Sequence, residues 1–62
     1  MAEYGVVTQQ PSKRWVFATK TGIKAENTVL LALLDEIGAK GWDVVAVGEF
    51  GGGGKSEILV RK

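Results

Sequence analysis

The chain contains neither cysteine nor histidine, and in a polypeptide of 62 residues that absence governs how a fold can be held together. A domain this small buries only about 60% of the surface its unfolded chain exposes, so its margin of stability is thin. Small folds usually make up the difference with disulfides, a bound metal or a partner chain. Without thiols there are no disulfides and no thiolate ligands. Without imidazole, a leading metal ligand and the commonest general base are missing together. A partner chain is the supplement that remains, so oligomerisation is the first expectation. The length accommodates one domain, spanning 1-62.

Hydrophobic residues at 45% and charged residues at 24% suit a folded globular chain rather than a disordered one. No apolar run approaches the roughly 20 residues that cross a bilayer, and no membrane partner is expected. The start, Met1-Ala2-Glu3-Tyr4, lacks the basic and apolar stretches of a signal peptide, which makes a cytoplasmic location the expectation. Net charge is +1 but unevenly spread. No acid falls between Glu3 and Glu26, whereas Lys13, Arg14, Lys20 and Lys24 all do.

Tyr4 to Thr8 reads as a strand rich in β-forming residues. Gln9-Gln10-Pro11-Ser12 then punctuates the chain, because proline suits a turn and cannot donate to a ladder. Arg14 to Lys20 is a second strand with Trp15, Phe17 and Thr19 on one side, and Thr21-Gly22 breaks it. A helix is predicted from about Glu26 to Lys40. At 100° per residue Val29, Leu30, Leu33, Leu34 and Ile37 share one apolar arc, while Leu31 falls outside it. Asn27 or Thr28 is a candidate cap, and Glu36 and Lys40 form an i,i+4 pair. Gly41 suits the left-handed residue that ends a helix, with Trp42 folding back near Ile37. Gly38 costs about 1 kcal/mol inside a helix, and close approach to the sheet is the expected reason for it. Trp42 to Phe50 is the clearest strand. Gly51 to Gly54 form a turn, and Ser56 to Arg61 return. The fold class is α+β: a small antiparallel sheet with one helix on one face, ordered β-β-α-β-β, or β-α-β-β if the first hairpin is poorly formed.

One helix covers one face of such a sheet. If Trp42, Val44 and Ala46 point toward it, Val45 and Val47 point away, and Leu59 opposes Ile58 and Val60. Aliphatic side chains on both faces break the apolar-polar alternation of a half-solvated sheet. Val45, Val47 and Leu59, with Val7 or Val16, are therefore the candidate oligomer interface, and a symmetric dimer is the simplest way to cover them. The competing explanation is that some of these residues lie at bent strand ends.

Leu33 to Val47 resembles a hallmark of the bacterial and phage family known as domain of unknown function 4177. That family has a leucine-rich helix ending in Leu-Gly-Ala-x-Gly-Trp-Glu-Leu-Val, matched here around Gly38-Ala39-Lys40-Gly41-Trp42. Tyr4-Gly5-Val6-Val7 is similar to its Tyr-x-Val-Val strand, and Ile58 to Lys62 to its basic closing strand. The segment from Gln9 to Lys24 departs from the pattern. The resemblance implies a fold and brings no activity, cofactor or catalytic residue.

Gly51 to Ser56 (Gly-Gly-Gly-Gly-Lys-Ser) invites comparison with a phosphate loop. The spacing puts the required first glycine at Glu49, and a strand-like stretch follows where a helix is needed. A hairpin tip accounts for it better. Lys13, Arg14, Lys20 and Lys24, interleaved with Trp15 and Phe17, are candidate anion or nucleic-acid contacts through stacking and phosphate pairing. Against this, the two aromatics suit a core, and a pI of about 8.1 is modest for such a binder. Catalysis has little to work with: Asp35, Glu36, Asp43 and Glu49 all suit solvated positions, and no metal set has convincing spacing. The reading is a non-enzymatic, homo-oligomeric module contacting a protein or small ligand, without a cofactor. Nucleic-acid binding is the alternative.

Overall fold

The computed structural model describes residues 2–49 and 55–62. Phe50 and the glycines of the expected turn, Gly51 to Gly54, lie outside the described residues, and so does the core of the phosphate-loop comparison. The described chain forms β1 (Tyr4–Gln9), β2 (Trp15–Thr19), β3 (Gly22–Asn27), α1 (Leu30–Gly38), β4 (Asp43–Gly48) and β5 (Glu57–Arg61). The five strands make one antiparallel sheet in the order β3-β2-β1-β5-β4. The class is α+β as read, with β-β-β-α-β-β as its order.

The additional strand is β3, where the sequence reading placed a break and the start of the helix. Lys24-Ala25-Glu26 carries good helix-forming residues, but β2 offers an unpaired edge that overrides local preference. Lys20 and Thr21 make the turn, with the Thr21 amide donating to Thr19 Oγ1 at 3.3 Å. Gly22, at φ 115°, takes the left-handed step into the strand that suits a residue without Cβ. Arg14 and Glu26 then pair across the strands at 3.3 Å. At the far end Asn27 Oδ1 accepts the Val29 amide at 2.9 Å. This local turn delays the helix to Leu30, so neither Asn27 nor Thr28 caps it. Among the described residues Arg14–Glu26 is the one ion pair, so the expected Glu36–Lys40 pair does not form.

The helix ends as its glycine requires. The Trp42 amide donates to the Ile37 carbonyl at 3.2 Å and the Gly41 amide to the Gly38 carbonyl at 3.0 Å. Gly41 lies between them at φ 98°. These two bonds form a Schellman closure, in which the residue after the glycine packs back on the last turn. Trp42 does so, joining Ile37, Leu33, Phe17, Val7 and Val60 in the core. Its ring meets Phe17 edge-on, with centroids 4.9 Å apart, a geometry worth about 0.5–1.5 kcal/mol beyond area burial. Leu30 and Leu34 pack against this cluster, and Leu31 faces solvent.

Two glycines give opposite predictions. A Cβ on Gly5 would lie 2.5 Å from Phe17 Cε1, whereas one on Gly38 would meet nothing within 4 Å. Close approach to the sheet therefore does not explain Gly38. In urea titrations followed by circular dichroism, Gly38→Ala should raise stability by about 0.5–1 kcal/mol. Gly5→Ala should lower it by about 1–3 kcal/mol through overpacking.

Candidate functional site

Strand register sorts the side chains into two surfaces. Val47, Ile58, Val7, Phe17 and Ala25 are successive partners across all five strands. Partners in a ladder share a face, and this row lies under the helix, because Val7 and Phe17 pack with Leu33 and Ile37. The next row, Ala46–Leu59–Val6–Ala18–Ile23, is continuous in the same register and lies on the opposite, open face. Every member is apolar. Four are half-buried, and Ile23 is 65% exposed.

Each outer strand carries one inserted residue: Lys24 in β3, between the pairs Ala18–Ile23 and Phe17–Ala25, and Val45 in β4, between Val44–Val60 and Ala46–Leu59. Bulges at sheet edges hinder pairing with other chains and redirect side chains. The β4 bulge corrects the face assignment made from alternation. Counting by twos put Ala46 under the helix and Val47 on the open face. The inserted residue shifts the parity, so Ala46 joins Leu59 on the open face and Val47 joins Ile58 on the helix side.

The proposed interface residues therefore separate. Leu59 lies in the open-face row. Val7 is fully buried beneath the helix and has no surface to offer a partner. Val16 shares the open face with its partners Thr8 and Glu26 but is itself buried. Val44, Val45 and Val47, at 54%, 50% and 67% exposed, line the β4 edge, which the helix does not reach because it packs chiefly over β2 and β3. Alternation missed Val6, Ala18, Ile23 and Ala46. The signal that would have found them is Lys20-Thr21-Gly22, a polar turn closed by glycine, which makes Gly22–Asn27 a third strand and extends the row through Ile23.

The basic and aromatic residues proposed to contact nucleic acid do not come together as a set, although Lys24 and Phe17 line one groove. Trp15 and Phe17 share a face, but it is the helix face; Phe17 is 3% exposed and Trp15 packs half-buried against the core. Lys13 and Arg14 lie at one end of β2, Lys20 at the other, and Arg14 is paired with Glu26. Stacking needs an accessible ring face beside the cations, and Phe17 has none. Among the described residues no polar or charged side chain is buried, and no group of three or more acidic residues is placed to hold a metal. No described helix is long and apolar enough to cross a membrane. Compared with family models, with characterised proteins and with solved structures, the chain has no match.

Titrating single-stranded oligonucleotide into the protein at low salt should leave tryptophan emission unchanged in both Trp15→Phe and the parent chain. Quenching that weakens as salt rises would contradict this arrangement of the aromatics.

Proposed function

We propose that this protein is a non-catalytic homodimeric interaction module in which a second copy covers the open face of the sheet. The observation that carries the reading is the row Ala46–Leu59–Val6–Ala18–Ile23, apolar across five strands with no described element over it. The largest continuous apolar patch on a small domain is often a contact site.

The sizes within the row favour a second copy over an unrelated partner. About Val6 at the centre, bulky Leu59 on one side mirrors small Ala18 on the other, and small Ala46 mirrors bulky Ile23. A two-fold axis along β1 in the plane between two stacked sheets places Leu59 against Ala18, Ile23 against Ala46 and Val6 against itself. Large side chains then fill the space over small ones, as close packing requires. Five strands at about 4.8 Å spacing and five residues at about 3.3 Å give a face of about 24 by 17 Å. That is small for a specific interface, so the dimer should dissociate on dilution.

Sedimentation velocity across a concentration series tests the reading. The parent chain should shift from monomer to dimer as concentration rises. Leu59→Lys and Ala18→Glu should each remain monomeric, and an equimolar mixture should dimerise through the opposed charges. A parent chain that is monomeric at every concentration, with its fold intact by circular dichroism, would refute the dimer. Variants that dimerise as well as the parent would move the contact elsewhere.

A further inference from the structure

On the other side of the sheet, where the helix ends above the β2–β3 turn, lies an open groove of about 370 Å³. This is within the range of small-ligand sites, about 300–1,000 Å³. Its floor is the margin of the core: Phe17, Ala25, Ile37 and Trp42. Phe17, Ile37 and Trp42 are buried core side chains that reach the recess only at their margins, and Ala25 is half-buried beside them.

The rim is polar and asymmetric. Lys24 stands on one wall because the β3 bulge lets two consecutive residues, Lys24 and Ala25, line the helix side. Lys40, just past the end of the helix, also lines the groove. Neither ammonium group has an ion-pair partner among the described residues. Glu3 also lines the groove, so these three side chains carry one net positive charge, and the Lys62 ammonium stands 5.9 Å from the Trp42 ring. Thr19 and Thr21 also line the groove, their hydroxyls 2.9 Å apart. A hydroxyl pair uses one proton between its members and leaves the other to donate outward.

From this arrangement we propose that the groove binds a small monocarboxylate carrying one aromatic or branched apolar group. The apolar group rests on half-buried Ala25 and on the outermost atoms of the core side chains Trp42, Phe17 and Ile37. The carboxylate lies between Lys24 and Lys40, within reach of the threonine hydroxyl proton. Glu3 repels a second negative charge, which selects for monoanions over dianions. A cationic ligand gains only Glu3 against two lysines. The site lies on the helix side and uses no residue of the open-face row, so it stands or falls separately from the dimer.

The test is an amide-resolved NMR titration of the full chain with three probes of matched shape: phenylacetate, 2-phenylethanol and 2-phenylethylammonium. Shifts should centre on Thr19, Thr21, Lys24, Ala25 and the Ile37–Trp42 segment, including the Trp42 indole. Affinity should fall from the carboxylate to the alcohol to the ammonium. The double variant Lys24→Gln/Lys40→Gln should weaken phenylacetate about tenfold, as expected for two partly solvated charge contacts, and leave the alcohol unchanged. Each single variant should lose part of that effect. Equal response to all three probes, shifts centred outside the groove, or no shifts at millimolar probe would each overturn the assignment.

Discussion

A nine-residue helix cannot enclose a five-stranded sheet, and that constraint shapes the rest of the molecule. At 1.5 Å per residue the helix is about 13 Å long, against about 19 Å between the outermost strands at their usual spacing. It seals one patch, where Leu33 and Ile37 close over Val7, Phe17 and Val60. The β4 edge and the whole opposite face are left without it. A chain with no disulfide and no metal-binding histidine or cysteine has little other means of compensating for apolar surface left in water.

The patch that is sealed depends on the junction after the helix. Gly41 turns left-handed, Trp42 returns its amide to Ile37, and its ring meets Phe17, whose own ring lies over Gly5. The helix terminus, the core aromatics and the glycine of β1 are thus one packing unit. Lys62 reaches over the same indole, 5.9 Å from its centroid, bringing the end of the described chain to that junction.

The parts of the fold legible in the sequence were those with strong local chemistry. The helix end was readable because glycine followed by tryptophan has one economical backbone solution there. The valine-rich β4 and the returning β5 were readable by composition. What escaped was set by neighbours. Gly22–Asn27 has the propensities of a loop and a helix start, and becomes a strand because β2 has an edge to fill. Asn27 was legible as a capping residue but ties up the Val29 amide and starts the helix later. The two bulges left no mark in the sequence, yet the one at Val45 reverses the faces of Ala46 and Val47. The apolar row on the open face is therefore made mostly of other residues than those first assigned: Leu59 belongs to it, Val7 is core, and Val6, Ala18, Ile23 and Ala46 complete it.

The two surfaces divide the chemistry. The central row of the open face is apolar and size-matched to itself, which suits a second copy. The groove by Trp42 mixes an apolar floor with ammonium groups that have no ion-pair partner among the described residues, which suits a small anion. The central claim concerns the first, and methyl NMR with a neutral, soluble gadolinium chelate tests it most directly. At millimolar protein the methyl groups of Val6, Ala18 and Leu59 should be shielded from the relaxation agent, while those of Val44 and Val47 broaden. Broadening of Val6, Ala18 and Leu59 that stays the same from micromolar to millimolar protein would contradict it.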